Sequence, residues 1–314
     1  MDMGEFNGLP EDENGSGDTG DVVGTFPDNQ TDETHDQGFA FLDYGDLPDD
    51  PNDPNDYPTL MEEVGAVNVI IPGLSLGTTI DAELDGQPDA MADGEGADDD
   101  GITFLTPLVP GDFAVLNIKA VNTTGADAVL EGWIDWNGNG SLDNDEYLEW
   151  YLDPVNPSTG GVTIPYTVPS VGMLDVNVAI RVPDDATFMN GMMLARFRLN
   201  TIQVQLPFGP DKYGTDPMPG GEVEDYKLLL YAIGSYVWED TNGNGLQDDF
   251  SSPCLNGLEL NLEWAGPDGD LATTADNQTF TVSTSANNGV NGQYLFGGLT
   301  PGTYELSLAT LPPG

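Results

Sequence analysis

The chain carries the stretch Asp135-Trp136-Asn137-Gly138-Asn139-Gly140-Ser141-Leu142-Asp143-Asn144-Asp145-Glu146, from which its fold and chemistry can be predicted. Oxygen-bearing side chains stand at positions 1, 3, 5, 9 and 12 of this first loop, and a glycine stands at position 6. This is the spacing by which a twelve-residue loop wraps a Ca²⁺ ion. The predicted ligands are the side chains of Asp135, Asn137, Asn139, Asp143 and Glu146 and the main-chain carbonyl of Ser141.

The residues before the first loop indicate a strand. The segment Ala128-Val129-Leu130-Glu131-Gly132-Trp133-Ile134 is rich in β-forming residues, whereas an EF-hand would need a long amphipathic helix there. We therefore predict a calcium loop between strands, as a structural site and not a calcium sensor.

The charge of the chain is strongly one-sided, with 55 Asp and Glu against 6 Lys and Arg and a formal net charge of -49. Such charge opposes compaction unless cations neutralise it. The alternative is a generic acidic surface, as in a salt-adapted protein, but many of these acids fall in Asn- and Gly-rich turns. Nucleic acids and anionic membrane surfaces are disfavoured as partners, because both require Lys and Arg.

Glycine and proline content favours strands over helices. With 40 Gly and 24 Pro, we predict an all-β fold of β-sandwich modules in tandem, with calcium-binding loops between strands. Residues 1–40 are predicted to be an acidic leader or linker, 41–231 a first β domain, and 232–314 a β-sandwich cut from a longer array. No apolar run approaches a membrane span, and Cys254 has no second cysteine with which to pair.

A second acidic stretch lies before the first loop, in residues 80–101. Closely placed carboxylates repel each other unless a cation lies between them. A calcium site that draws on Asp81, Glu83, Asp85 or Asp98 to Asp100 is one interpretation of this stretch, and a solvated loop is the other.

A second loop with calcium-binding spacing begins at Asp240. Its predicted ligands are the side chains of Asp240, Asn242, Asn244 and Asp248 at positions 1, 3, 5 and 9 and the carbonyl of Leu246 at position 7. Position 12 is Ser251 instead of Glu, so Asp249 or a distant acid must complete the shell, or the site is weak.

A further candidate site consists of Asp268, Asp270 and Asp276. The alternative for these residues is an Asx-rich turn without a metal.

The chain's scarce cations suggest specific ion pairs. Met193–Leu199 alternates as a strand that carries Arg196 and Arg198 on its outward face, and Glu222 and Glu224 have the same period of two. We predict that these strands pair and that the glutamates face the guanidinium groups.

Enzymatic function is not expected. Gly73-Leu74-Ser75-Leu76-Gly77 matches the G-x-S-x-G pattern of hydrolases, but the single histidine, His35, lies upstream and no helix is predicted after the motif. A metal hydrolase would have almost no imidazole or thiol ligands.

Several motifs in order resemble the GEVED domain of large secreted and cell-surface bacterial proteins. They are Asp43–Asp49, Leu76–Pro88, Asp98–Gly101, Gly132–Gly140 and Gly221-Glu222-Val223-Glu224-Asp225-Tyr226. The sequence Gly65-Ala66-Val67-Asn68 departs from the family, in which an Arg-His pair is expected after Gly-Ala. The resemblance implies a non-catalytic, β-rich module of a surface protein.

The last part of the chain resembles the B repeats of serine-aspartate-repeat adhesins, which are calcium-binding β-sandwiches of the Cna-B type. The motifs are Ile233–Asp249 and Gly292–Tyr304. Many Cna-B domains carry a Lys–Asn or Lys–Asp isopeptide bond, but no lysine follows Lys227, so this cross-link is excluded within the module.

The predicted function is therefore a non-enzymatic, calcium-stabilised module of an extracellular adhesin or filament. Its expected partners are neighbouring modules of the same protein, with a glycan or a host- or cell-surface ligand as the candidate external partner. The alternative is a calcium-dependent carbohydrate-binding module, in which Trp133, Trp136, Trp150 and Tyr151 would form the sugar platform. The alternative for these aromatic residues is a place in the core.

Overall fold

The predicted all-β fold is confirmed. The computed structural model describes residues 40–50, 56–94, 98–187, 192–208, 219–246, 254–287 and 290–310. These residues form eighteen strands and two short 3-10 turns, Met61–Glu63 and Asn144–Glu146. No helix in the described ranges is long and apolar enough to cross a membrane. The predicted leader, apart from residue 40, lies outside the described residues.

The first twelve strands make up what we call the first unit. They are β1 Leu42–Tyr44, β2 Val67–Val69, β3 Leu74–Leu76, β4 Ile102–Phe104, β5 Phe113–Asn122, β6 Ala128–Ile134, β7 Trp150–Tyr151, β8 Val162–Thr163, β9 Tyr166–Val168, β10 Gly172–Arg181, β11 Met192–Asn200 and β12 Gly221–Leu229.

The first unit is a β-sandwich of two antiparallel sheets. One sheet has the strand order β3-β5-β10-β7-β8, with β4 also paired to β5, and the other has the order β12-β11-β6-β9. Strand β5 alternates in burial and presents one apolar face to the interior, whereas β11 is buried on both faces from Ala195 to Asn200. Leu116 and Ile118 of the first sheet and Phe197 and Leu199 of the second belong to one core.

A two-stranded ribbon of β1 and β2 lies against the β12 edge of the second sheet. The amide of Val69 donates to the carbonyl of Pro219 at 2.8 Å. The side-chain amide of Asn68 donates to the carbonyls of Leu199 and Glu222 at 3.1 and 2.9 Å. These bonds fasten the amino-terminal ribbon to the carboxyl-terminal strand of the first unit.

The last six strands make up the second unit. They are β13 Tyr231–Tyr236, β14 Glu259–Trp264, β15 Gln278–Ser283, β16 Ser285–Asn287, β17 Val290–Leu299 and β18 Tyr304–Leu308. They form two three-stranded sheets, β13-β17-β16 and β15-β14-β18. Leu262, Trp264, Phe280 and Phe296 form the core between them.

The two units follow each other directly and touch. Only Leu230 separates β12 from β13, and its side chain packs in the core of the first unit. Val109, between β4 and β5, packs in the core of the second unit, and the amide of Leu108 donates to the carbonyl of Gly298 at 2.8 Å. The predicted division of the chain between residues 231 and 232 stays a prediction.

Candidate cation sites

The first loop leaves β6 at Asp135 and closes on the 3-10 turn at Glu146. The carboxylate of Asp135 accepts hydrogen bonds from the amides of Gly138 and Gly140, at 2.7 and 3.1 Å. Both glycines have positive φ, 67° and 84°, which curls the chain around this carboxylate. Glu146 accepts from the amide of Asp143 at 2.9 Å. The two predicted ligands at the ends of the loop, Asp135 and Glu146, therefore both turn their oxygens towards the loop's own backbone.

The intermediate ligands follow the same pattern. The Asn137 side-chain oxygen accepts from the amide of Asn139 at 2.9 Å, and the Asn139 oxygen accepts from the amide of Ser141 at 2.9 Å. The side-chain amide of Asn139 donates to Asp143 at 2.9 Å. The loop thus gathers the hard oxygen donors that suit Ca²⁺, and this donor set fits the ion.

Burial and contacts from elsewhere in the chain hold the first loop in place. Asp135 and Glu146 are 4% and 2% exposed. The hydroxyl of Tyr57 donates to Asp135, and Tyr57 packs with Leu142 of the loop and Trp133 of β6 in a separate apolar cluster. Sequence analysis missed Tyr57, because nothing in the sequence links it to a loop 78 residues away.

The electrostatics of the first loop favour a bound cation. Burial, with a smaller contribution from the charge of Asp135, raises the pKa of Glu146 to about 7. Two buried carboxylates at one site repel each other when ionised, and an ion between them removes that repulsion.

The second loop repeats this local geometry on the surface. The carboxylate of Asp240 accepts from the amides of Gly243 and Gly245, both at 2.8 Å, and Asn242 accepts from the amide of Asn244 at 3.0 Å. Asn244 accepts from the amide of Leu246 at 2.7 Å. All of these residues are exposed. The predicted ligands Asp248 and Asp249 lie outside the described residues.

Asp268 and Asp270 form exposed Asx turns. The amide of Asp270 donates to the carboxylate of Asp268 at 2.8 Å, and the amide of Ala272 donates to that of Asp270 at 2.9 Å. Asp276 lies beside Gly266. A calcium site on these three residues stays a prediction.

The acidic stretch before the first loop brings three carboxylates together. Asp81, Glu83 and Asp98 each offer an oxygen, and these oxygens lie within 4.8 Å of one another. Asp85 points elsewhere, because its carboxylate accepts from the amides of Met61 and Gly86 at 2.7 and 2.9 Å. Of the residues predicted as ligands here, the structure groups Asp81 and Glu83 with Asp98.

Asp43 and Glu222 are close enough to this group for the charge of Asp98 to act on both of them. Burial raises the pKa of Asp43 well above its usual range, and the charges of Glu83 and Asp98 raise it further. Burial also raises the pKa of Glu222 to about 12, with contributions from the charges of Glu224 and Asp43. We call Asp43, Asp81, Glu83, Asp98 and Glu222 the buried acid cluster after its three buried members, Asp43, Asp98 and Glu222; Glu83 is half-buried and Asp81 is exposed.

The predicted pairing of the arginines with Glu222 and Glu224 is wrong, although the strands do pair. In the register of β11 with β12, Arg196 lies opposite Asp225 and Phe197 lies opposite Glu224. The glutamates therefore share the face of the apolar side chains. Arg196 instead binds Asp225 through two hydrogen bonds of 2.7 Å, Nε to Oδ1 and Nη2 to Oδ2.

The outward placement of the arginines also needs correction, because both are fully buried. The β1–β2 ribbon covers them: Arg198 donates to the carbonyl of Val67 at 2.9 Å and to the Asn68 side chain at 2.7 Å. Asp225 accepts in addition from the amides of Asp46 and Leu47, at 2.7 and 2.9 Å.

The glutamates of β12 bind backbone from the preceding segment. Glu224 accepts from the amides of Asp100 and Gly101, at 3.0 and 2.8 Å, and Glu222 accepts from the amide of Leu76. Gly221 has φ of 142°, and a Cβ there would lie 1.7 Å from the carbonyl oxygen of Leu199. The glycine, the two glutamates and the aspartate of the Gly221–Tyr226 motif thus each have a physical reason.

The tryptophans near the first loop belong to the interior. Trp133, Trp136 and Trp150 are 1%, 5% and 0% exposed, and Tyr151 is half-buried. A sugar platform needs exposed aromatic faces, so these three tryptophans do not supply one.

Two family models match the chain. The GEVED domain matches residues 129–229, and the SdrD B-like domain matches residues 231–314. The motifs before residue 129 that resemble the GEVED family lie outside the matched range.

The curated relatives match mainly through about 80 residues. Colossin-B of Dictyostelium discoideum is 40% identical over 80 residues, which are 26% of this chain and 2% of that protein. Serine-aspartate repeat-containing protein F of Staphylococcus epidermidis is 35% identical over 85 residues, 27% of this chain and 4% of that protein. Serine-aspartate repeat-containing protein D of Staphylococcus aureus strain Newman is 35% identical over 85 residues, 27% of this chain and 6% of that protein. The chain thus spans a small part of each relative, and by its two family matches it carries a GEVED domain followed by an SdrD B-like domain.

Proposed function

We propose that this chain is a non-enzymatic structural module of an extracellular, cell-surface adhesin or filament, and that Ca²⁺ bound by the first loop stabilises it. The observation that carries the proposal is that Asp135 and Glu146, at the two ends of the loop, are buried and accept hydrogen bonds from the loop's own amides. Ca²⁺ would supply charge neutralisation and loop rigidity there, with the oxygen ligands that it prefers.

The domain content supports the structural part of the proposal. The SdrD B-like match covers the second unit, and the relatives include serine-aspartate repeat-containing proteins of staphylococci, of which this chain matches only 4% and 6% of the length. A module in such an array has neighbouring modules as its immediate partners. A location outside the cell follows from the same likeness and agrees with a chain that would depend on millimolar calcium.

The expected stabilisation is measurable. Extracellular calcium modules bind with Kd of about 10⁻⁴ to 10⁻³ M. At about 100 times Kd, one site adds about 2.7 kcal/mol to the free energy of unfolding. For a domain of this size that corresponds to a rise in melting temperature of about 5 to 10 °C.

The test is calorimetric melting of the whole chain in saturating Ca²⁺ and in EDTA, with Glu146→Gln and Asp145→Asn as a matched pair. Glu146 is the predicted bidentate ligand, whereas its neighbour Asp145 is exposed and occupies no ligand position. Glu146→Gln should lose most of the calcium-dependent rise of the first unit, and Asp145→Asn should keep it. Equal melting of all three proteins with and without calcium would overturn the proposal.

A further inference from the structure

We propose that the buried acid cluster is a second cation site, at which one divalent ion of Ca²⁺-like chemistry fastens the segment of residues 41–101 to strand β12. This proposal shares only the choice of ion with the proposed function. Its ligands come from three parts of the chain: Asp43 on β1, the acidic stretch with Asp81, Glu83 and Asp98, and Glu222 on β12.

The first argument is distance. The nearest oxygens of Asp81, Glu83 and Asp98 lie within 4.8 Å of one another. Ca²⁺ binds oxygen at about 2.3 to 2.6 Å, so two oxygens on one ion are at most about 5 Å apart. The three carboxylates can therefore reach a single ion without rearrangement of the backbone.

The second argument is the unpartnered oxygens. One carboxylate oxygen of Asp98, one of Glu83 and one of Glu222 are buried without a hydrogen-bond partner. Asp98 and Glu222 are 6% and 1% exposed. A buried carboxylate oxygen without a partner is costly, and a cation would satisfy it.

The third argument is charge and donor type. All five members are carboxylates, so the site has hard oxygen donors and no imidazole or thiol, which favours Ca²⁺ over Zn²⁺. The two arginines of β11 do not replace the ion: Arg196 is bound bidentately by Asp225, and Arg198 donates to the β1–β2 ribbon. In the strand register these arginines lie on the face of the sheet opposite Glu222.

The backbone around the cluster is already bound to its members. Glu83 accepts from the amide of Tyr44 at 3.2 Å, its own amide donates to the carbonyl of Leu42 at 3.0 Å, and Asp43 accepts from the amide of Val223 at 2.5 Å. An ion here would join β1, the acidic stretch and β12 at one point. It would therefore act as a clamp on the amino-terminal segment that covers the buried arginines.

The test is calcium titration calorimetry of the whole chain with variants at both sites. Asp81 is exposed, so Asp81→Asn should fold, and Asp98→Asn removes a buried ligand. Each should lower the number of bound Ca²⁺ ions by one relative to wild type. Glu146→Gln should remove a different ion, and the double variant Asp81→Asn/Glu146→Gln should lose both.

A matched control separates a lost ligand from a lost buried acid. Glu131 is also fully buried, but both of its oxygens are hydrogen-bonded, to Tyr147, Asn200 and the amides of Val204 and Gln205. Glu131→Gln should leave the number of bound ions unchanged.

Thermal melting gives a second, independent result. In EDTA, Asp98→Asn should melt higher than wild type, because it removes repulsion, and in saturating Ca²⁺ it should melt lower. A merely structural role would shift both melts in the same direction.

If folded Asp81→Asn binds as many Ca²⁺ ions as wild type, the proposed cation site at the acid cluster is wrong, whatever the result for Glu146→Gln. Loss of an ion in Asp81→Asn with no effect of Glu146→Gln would support the clamp and refute the first-loop site.

Discussion

The first and second units are both antiparallel β structures, but they differ in what they bury. In the described residues, every buried charged side chain belongs to the first unit, including Asp98 and Glu222 of the acid cluster and Arg196. The second unit buries apolar side chains and, as its one buried polar residue among those described, Thr284. The first unit must therefore pair or neutralise buried charge in addition to packing its apolar core, whereas the second unit packs an apolar core without buried charge among the described residues.

The two candidate calcium loops show the same contrast on a smaller scale. Both start with Asp-x-Asn-Gly-Asn-Gly, at Asp135 and at Asp240, and both fold the first carboxylate onto the loop amides. Asp135 also accepts from Tyr57 and is nearly buried, whereas Asp240 is exposed. The shared spacing sets which side-chain oxygens bind the loop amides, and tertiary packing sets whether the first carboxylate is buried or exposed.

The largest expected effect comes from breaking the buried ion pair of the first unit. Asp225→Asn leaves the guanidinium of Arg196 buried without its carboxylate and weakens the contact with Asp46 and Leu47. Removing one partner of a buried pair costs about 3 to 5 kcal/mol. Chemical denaturation should show this loss in the transition of the first unit.

The chain offers an exposed ion pair as the control. Arg181 and Asp184 are 3.0 Å apart, with the Asp184 side chain 85% exposed. Exposed pairs contribute at most about 1 kcal/mol, so Asp184→Asn should change stability little. A similar loss of stability in both variants would mean that the buried Arg196–Asp225 pair contributes no more than an exposed pair.

The second-largest expected effect is a dependence of stability on pH. It should also be confined to the first unit. Burial is the main cause that raises the pKa of Glu83 to about 8, of Glu146 to about 7 and of Glu224 to about 8. The folded state then holds protons more tightly than the unfolded state, whose glutamates titrate near pH 4.3. The resulting stability is fully present below that pH and is lost as pH rises through 7 to 8.

In EDTA, melting temperatures recorded from pH 4 to pH 9 should therefore fall for the first unit as pH rises. Saturating Ca²⁺ should remove most of this decrease in melting temperature, because the ion takes the place of the protons at Glu83 and Glu146. Hydrogen exchange can assign the change to β1–β12 or to β13–β18. If the melting temperature of the first unit in EDTA does not change with pH, buried carboxylates do not distinguish the two units in the way proposed.

The features predicted correctly from sequence are local ones. Strand alternation, as in Met193–Leu199, and the density of turns predicted the all-β fold, because the period of two is set by the strand itself. The calcium ligands read from the spacing of the first loop stay a prediction, and the structure shows Asp135, Asn137 and Asn139 accepting hydrogen bonds from the loop's own amides.

The features that sequence analysis missed depend on contacts between distant segments. The amide of Val223 and the carboxylate of Asp43 meet across 180 residues, and Arg198 is buried against the β1–β2 ribbon, where it donates to the carbonyl of Val67. The partner predicted for Arg196 was wrong for a different reason. The register places Asp225 on its face of the sheet, and no property of the isolated strands determines that register.

The smallest predicted effect would make the second loop resemble the first. Position 12 of the second loop is Ser251, where the first loop has Glu146. Ser251→Glu supplies the missing carboxylate and should tighten calcium binding by about tenfold, or about 1.4 kcal/mol. The control is Ser252→Glu, which adds the same charge one residue beyond the twelve-residue loop. Titration of both variants in the Glu146→Gln background isolates the second loop. A tenfold gain in Ser251→Glu alone would show that ligand spacing limits this loop. Equal gains would show that added charge suffices, and no gain in either would mean that its exposed setting is what separates the second loop from the first.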